Sequence, residues 1–226
     1  SLGNALNCET WGVELSPERA GKAQNVMDKV FQAPWQSCVL SDESVTWLYL
    51  NPPYEFDRFE GQKRLEWDFL KTTTSKLMRG GLLTYIIPQK ILGMIEVARL
   101  LAGHYEAITV YRFPDGLYEK FKQVVVLAYK RKLYQLPTEK EVLSLQNLTT
   151  EELDPIETAV EPIYELLAAP SRGANGKPIV FKRTDWEPEE VVESTMEAGV
   201  QKTSEWLDLI HPTRGLTQLA QPVMPL

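Results

Sequence analysis

The run Val45-Thr46-Trp47-Leu48-Tyr49-Leu50 carries no charge, and Asn51-Pro52-Pro53 follows it at once. Uncharged stretches rich in β-branched and aromatic residues suit a strand covered on both faces. Proline has no backbone N–H to offer a ladder, so the strand must end at Leu50. Leu82 to Ile87 (LLTYII) repeats the pattern and is stopped by Pro88, and Thr10 to Leu15 (TWGVEL) is a third such run. Helix-spaced segments separate them. Alternating strands and helices specify an α/β domain with a largely parallel sheet.

Between these strands, Ser16 is a natural N-cap with Pro17 at the first helical position. The spacing of Ala20, Ala23, Val26, Met27 and Val30 predicts a helix from Pro17 to about Val30. A second helix is expected from about Gln62 to Met78, turning at Gly80-Gly81, and a third from about Ile91 to Ala102. Glu106 to Phe113 and Gln123 to Lys130 read as two strands without a full helix between them, which suggests an antiparallel pair at one edge. Residues 1–132 form the main domain on this reading. An acidic, proline-rich extension spans 133–178, and a small α/β or helical piece spans 179–226, with a strand at Ile179–Arg183 and a helix from about Pro188. Nine of the 15 prolines lie beyond residue 133.

The chain's formal charge is −7, and the segment 138–165 alone holds eight acids against Lys140. The remainder is neutral, so the low pI reports one acidic stretch, read as a solvated linker or helix face. A basic face would favour nucleic acid, and a neutral core neither supports nor excludes it. Two cysteines without CxxC spacing argue against a disulfide scaffold or a zinc site and fit a reducing cytoplasm. Neither histidine has a metal-spaced partner, and no apolar stretch is long enough to span a membrane. Oligomeric state is not legible.

The strand-ending motif has a chemical reading. An amino group on an aromatic ring is a poor nucleophile because its lone pair is delocalised. Acceptors that take hydrogen bonds from both its N–H groups draw the nitrogen toward a tetrahedral form and free the lone pair. Asn51 offers a side-chain carbonyl, and Pro52 offers a backbone carbonyl that the stiff Pro52-Pro53 pair aims. Tyr54 offers a flat ring on which a base can stack. The motif stands at the carboxyl end of a strand, where open α/β sheets bind ligands. The plainer reading is a proline-rich strand exit with a capping asparagine.

YLNPPY, together with VELSPERA, GGLLTYIIPQ and FKQVVVLAYK, resembles the class I S-adenosylmethionine-dependent amino-methyltransferases, in particular those acting on adenine N6. In overall layout the chain is most similar to an uncharacterised bacterial and mobile-element family of predicted methyltransferases. The resemblance implies a Rossmann-like sheet, S-adenosylmethionine as cofactor and DNA as partner, with a link to restriction or phage defence. Asn51, Pro52, Pro53 and Tyr54 would be catalytic. Glu14, at the end of its strand, would bind the ribose hydroxyls of the cofactor, with Leu15 beside its adenine and Asn51 also near it. Tyr54 would stack the target base, and Phe121 or Phe56 would close over it.

Two departures accompany the resemblance. The family's first strand and glycine-rich turn are expected ahead of Thr10 and are missing, as if the chain lacked its amino end. An acid that touches the cofactor adenine is also absent from Ala33-Pro34-Trp35-Gln36, where Asp42 or Trp35 would have to substitute. An RNA amino group, a protein glutamine amide, or a non-catalytic binding role for a methyltransferase-like module remain alternatives.

Overall fold

The computed structural model describes residues 5–54, 64–159 and 164–184. They divide into two compact units, one of Ser1–Val39 with Phe181–Leu226, the other of Leu40–Val180. In the first unit β1 (Trp11–Glu14) leads into α1 (Pro17–Gln24) and β2 (Lys29–Gln32). β1 and β2 pair in parallel, Trp11 opposite Lys29 and Glu14 opposite Gln32. α1 is therefore shorter than its periodicity predicts, and Val30 lies in a strand. Asp28 explains the break: its carboxylate accepts from the Thr10 N–H and hydroxyl, both at 2.7 Å, and pins the chain beside β1. β3 (Cys38–Leu40) pairs with β8 (Phe181–Arg183), in agreement with the strand expected at Ile179–Arg183. Phe181 is buried, stacks on Trp11 with centroids 5.2 Å apart, and leans on Phe31 at 4.7 Å.

The second unit is built on a four-stranded sheet in the order β4 (Val45–Leu50), β5 (Leu77–Pro88), β7 (Gln123–Lys130), β6 (Tyr105–Arg112). β4 and β5 are parallel, while β5–β7 and β7–β6 are antiparallel. The α/β class is the expected one, with parallel pairing followed by an antiparallel edge pair. α2 (Leu65–Thr73) precedes β5, α3 (Ile95–His104) follows it, and α4 (Leu117–Phe121) lies in the β6–β7 connection.

Three expectations fail around β5. The helix does not reach Met78, because Thr73 and Thr74 turn their hydroxyls onto the Phe69 and Leu70 carbonyls at 2.6 and 2.7 Å. Such back-bonding by β-branched residues disfavours further helix. Leu77 therefore opens a twelve-residue strand, and Gly80-Gly81 falls inside it rather than in a turn. Gly80 has φ of +75°, and a Cβ on Gly81 would sit 2.9 Å from the Thr46 carbonyl oxygen. Only glycine allows this approach, and the register against β4 shifts there, between Val45 and Trp47. The third predicted helix is also displaced: Gln89–Gly93 is a 3-10 turn, and α3 starts at Ile95.

β5 is buried without a break from Gly81 to Ile87, with Leu83, Tyr85 and Ile87 at zero exposure. Each such side chain contributes about 1.5–3 kcal/mol relative to exposure. The two buried tyrosines are satisfied. Tyr85 donates to the Glu66 carbonyl at 2.8 Å, and the Tyr105 hydroxyl lies 3.0 Å from Thr74 Oγ1. Of the two readings of the acidic segment, linker or helix face, part of it is a helix. Thr138 and Glu141 form a capping box that starts α5 (Glu139–Asn147), whose Val142 and Leu145 join the core with Leu153. The helix expected from Pro188 lies outside the described residues, as does Phe56.

Candidate functional site

β4 delivers Asn51 to the surface at its carboxyl end. Its last ladder partner is Leu50 opposite Tyr85, after which the two prolines leave the sheet. Asn51 is exposed, Pro52 buried, Pro53 exposed and Tyr54 half-buried. The chain thus folds back so that the Tyr54 hydroxyl donates to Asn51 Oδ1 at 2.8 Å. The same hydroxyl oxygen accepts from Gln123 Nε2 at 2.7 Å. Gln123 opens β7 opposite Pro88, the residue that closes β5. The ends of β4, β5 and β7 therefore meet around one short hydrogen-bond chain. Burial raises the Tyr54 hydroxyl above its ordinary pKa, Gln123 opposes that shift, and the charge of Glu66 adds to it. The hydroxyl is a neutral donor across the physiological range.

A second network stands behind the first. Gln89 is buried, and its Nε2 donates to the carbonyls of Leu148 at 2.5 Å and Glu151 at 3.1 Å. Its Oε1 accepts from the Tyr118 hydroxyl, and its backbone N–H donates to the Lys122 carbonyl at 2.8 Å. Lys122 has φ of +50°, uncommon for a residue with a Cβ. It caps α4, whose last residue, Phe121, is 49% exposed beneath the Lys120 ammonium at 4.9 Å. The loop that carries Phe121 is thereby tied to β5 and to the segment after α5.

Glu14 belongs to the first unit and is held locally. Its carboxylate accepts from the Ser16 N–H at 2.8 Å and from Arg19 Nε and Nη2, both at 3.0 Å. The Arg19 hydrogen bond holds the carboxyl below its usual range against the opposing pull of burial, with Ser16 helping. Leu15 is 65% exposed. Asp42 accepts from Ser75 Oγ and Lys76 Nζ, each at 2.7 Å, so a structural partner already occupies that acid. Among the described residues no group of His, Cys, Asp or Glu could hold a metal ion, and no helix is long and apolar enough to cross a membrane.

The structure brings Asn51 and Tyr54 together, and it adds Gln123 and Gln89, which the motif does not reveal. A polar residue heading the apolar run Val124-Val125-Val126-Leu127 is the one sequence signal that marks Gln123. Gln89, in the turn after Pro88, has no such signal.

Residues 1–164 match the Uncharacterised methyltransferase family (DUF6094). No curated protein gives a significant match. Similar solved structures include a protein from Listeria monocytogenes described as a candidate class I S-adenosylmethionine-dependent methyltransferase. It shares 16% identity at a TM-score of 0.45, covering 66% of this chain and 58% of the other. Another is a predicted O-methyltransferase from Agrobacterium tumefaciens, with 18% identity, a TM-score of 0.39, and coverage of 65% and 81%.

Proposed function

The chain belongs to this uncharacterised methyltransferase family, and from that premise we propose that it uses S-adenosylmethionine to methylate an exocyclic amino group, adenine N6 in DNA first among the candidates. The observation that carries the reading is the Asn51 carbonyl, exposed at the end of β4 with its neighbour Tyr54 fixed beside it. Asn51 Oδ1 has two lone pairs, of which Tyr54 uses one. The other accepts from the substrate amino group, and the Pro52 carbonyl accepts the second N–H. Both bonds strengthen as the nitrogen becomes tetrahedral, so they lower the barrier rather than merely hold the substrate. As the methyl group bonds to nitrogen its bond to the sulfonium breaks, leaving a neutral thioether, and the cationic nitrogen then releases one proton to solvent. The Tyr54 ring, half-exposed, offers the base a stacking face, and Phe121 is the second aromatic available to it.

The residues present fit the cofactor at one point. Glu14 is an ionised carboxylate at a strand end, able to accept two hydroxyls of a vicinal diol. Its pair with Arg19 is no obstacle. Arg19 is 70% exposed, so its guanidinium can turn into solvent while a diol takes its place on the carboxylate. Leu15 would lie against the cofactor adenine. When bound, S-adenosylmethionine supplies an electrophilic methyl group on a sulfonium.

RNA bases and glutamine side chains also present planar amino groups, and they are the competing acceptors. The test is transfer of labelled methyl from S-adenosylmethionine to duplex DNA, single-stranded DNA, RNA and protein acceptors. Label on DNA adenine is expected, and Asn51→Ala should lower its rate by about 10²–10³-fold, the usual cost of removing one preorganised hydrogen-bonding group. An unchanged rate in Asn51→Ala refutes the mechanism.

A further inference from the structure

We propose that Gln123 is a positioning residue that sets the orientation of the Asn51 carboxamide, acting through the Tyr54 hydroxyl; the proposal rests on the amino-methylation reading of the same site. An amide nitrogen only donates, and a phenol has one proton. Gln123 Nε2 donates to the Tyr54 oxygen at 2.7 Å, so the single Tyr54 proton goes to Asn51 Oδ1 at 2.8 Å. The polarity of the chain therefore runs from Gln123 through Tyr54 to Asn51. That end is held at its backbone: Gln123 pairs with Pro88 across the β5–β7 ladder, and its main-chain carbonyl accepts the Phe113 N–H at 3.0 Å. The other end needs the anchor. Asn51 is exposed, and the terminal torsion of an asparagine is broad and roughly two-fold, so its carbonyl and amino group readily exchange places. With the carbonyl edge pinned, an acceptor faces the substrate amino group before it arrives. With the edges exchanged, donor would meet donor.

The isosteric change Gln123→Glu separates this role from simple packing. A carboxylate only accepts, so the Tyr54 hydroxyl turns to donate to it and Asn51 Oδ1 loses its donor. Gln123→Leu removes the anchor but leaves the Tyr54 proton free to reach Asn51. Positioning therefore ranks glutamate as worse than leucine, whereas a packing role ranks it as milder. The expected result is a fall in kcat of about tenfold or more for Gln123→Glu and a few-fold for Gln123→Leu, as for modest misplacement of a reacting partner. KM for the methyl acceptor should stay within about twofold, the signature of a group acting in the transition state. In a Tyr54→Phe background the extra loss from glutamate should vanish, because the two changes act on one chain. Lowering the pH through the glutamate pKa restores a donor and should recover kcat.

A second readout does not depend on activity. The side-chain amide resonances of Asn51, followed by NMR in the full chain, should shift or broaden in Gln123→Glu. If they stay unmoved, or if glutamate proves milder than leucine, the proposal is overturned. If they move while the wild-type protein labels none of the acceptors, the positioning chain stands and the methylation reading falls.

Discussion

The unit that carries Glu14 and the unit that carries Asn51 rest on interiors of unequal depth. In the first, the buried apolar side chains among the described residues are Ala20, Ala33 and Phe181, and every residue of β1 is partly exposed. Order there comes from polar ties: Asp28 to Thr10, Ser16 and Arg19 to Glu14, and Lys29 Nζ to the Phe181 carbonyl at 2.6 Å. In the second, β5 is sealed between β4 and β7, and its side chains meet α3, α5 and β6 in one core. Asn51 is thus placed by packing, and Glu14 by local hydrogen bonds. Packing is not weakened by salt or mild acid, while exposed ion pairs are.

The largest effect expected of this difference is on the deeper core. Leu83→Ala should lower the unfolding free energy by about 3–5 kcal/mol in urea titrations, because a fully packed site collapses little around a cavity. A loss under about 1 kcal/mol would show that β5 does not organise its unit. Phe181→Ala should fall at the low end of its range, about 3 kcal/mol, since few other buried apolar side chains surround it. Its signature should also be local. Amides of β1 and β2 should exchange faster while those of β5 and β7 keep their protection, and equal acceleration in both units would erase the contrast.

Smaller still is Thr138→Ala, which removes the capping box of α5 and should cost about 1 kcal/mol by thermal or chemical denaturation. The smallest change in stability, but a visible one in titration, is Arg19→Ala. The folded-state pKa of Glu14 is depressed chiefly by Arg19. Its stabilising contribution is therefore present above the ordinary glutamate range and is lost as pH falls through the depressed value. Arg19→Ala should raise the Glu14 midpoint in an NMR titration and shrink that acid-side loss. An unmoved midpoint would mean that Ser16 and the local backbone, rather than Arg19, hold the carboxylate.

Much of the fold could be read from sequence because strands with uniform apolar character announce themselves. β1, β4, β7 and β8 lie where their residues predict, and Pro52 and Pro88 mark exits as prolines must. The helices were less legible. Periodicity carried α1 to Val30 because Val26, Met27 and Val30 continue its spacing, yet Val26 is 55% exposed and Val30 pairs in β2. Local pattern cannot see that Asp28 has a partner in Thr10. Likewise Gly80-Gly81 has the composition of a turn, and only the closeness of β4 makes it a bulge within β5. The acidic run suggests a solvated linker or helix face, and its composition does not mark Val142 and Leu145 as the residues that dock α5.

The strand before Asn51, the place where it must stop, and the residue types able to polarise an amino group were determined by sequence alone, because backbone sterics and missing N–H groups act within a few residues. Which side chains hold that asparagine was decided only by the tertiary structure. Gln123 is 69 residues from Tyr54 along the chain, and Gln89 is 59 from Leu148. Hydrogen bonds of that range are made by the pairing of β5 with β7 and the docking of α5, and short-range sequence pattern carries no record of them.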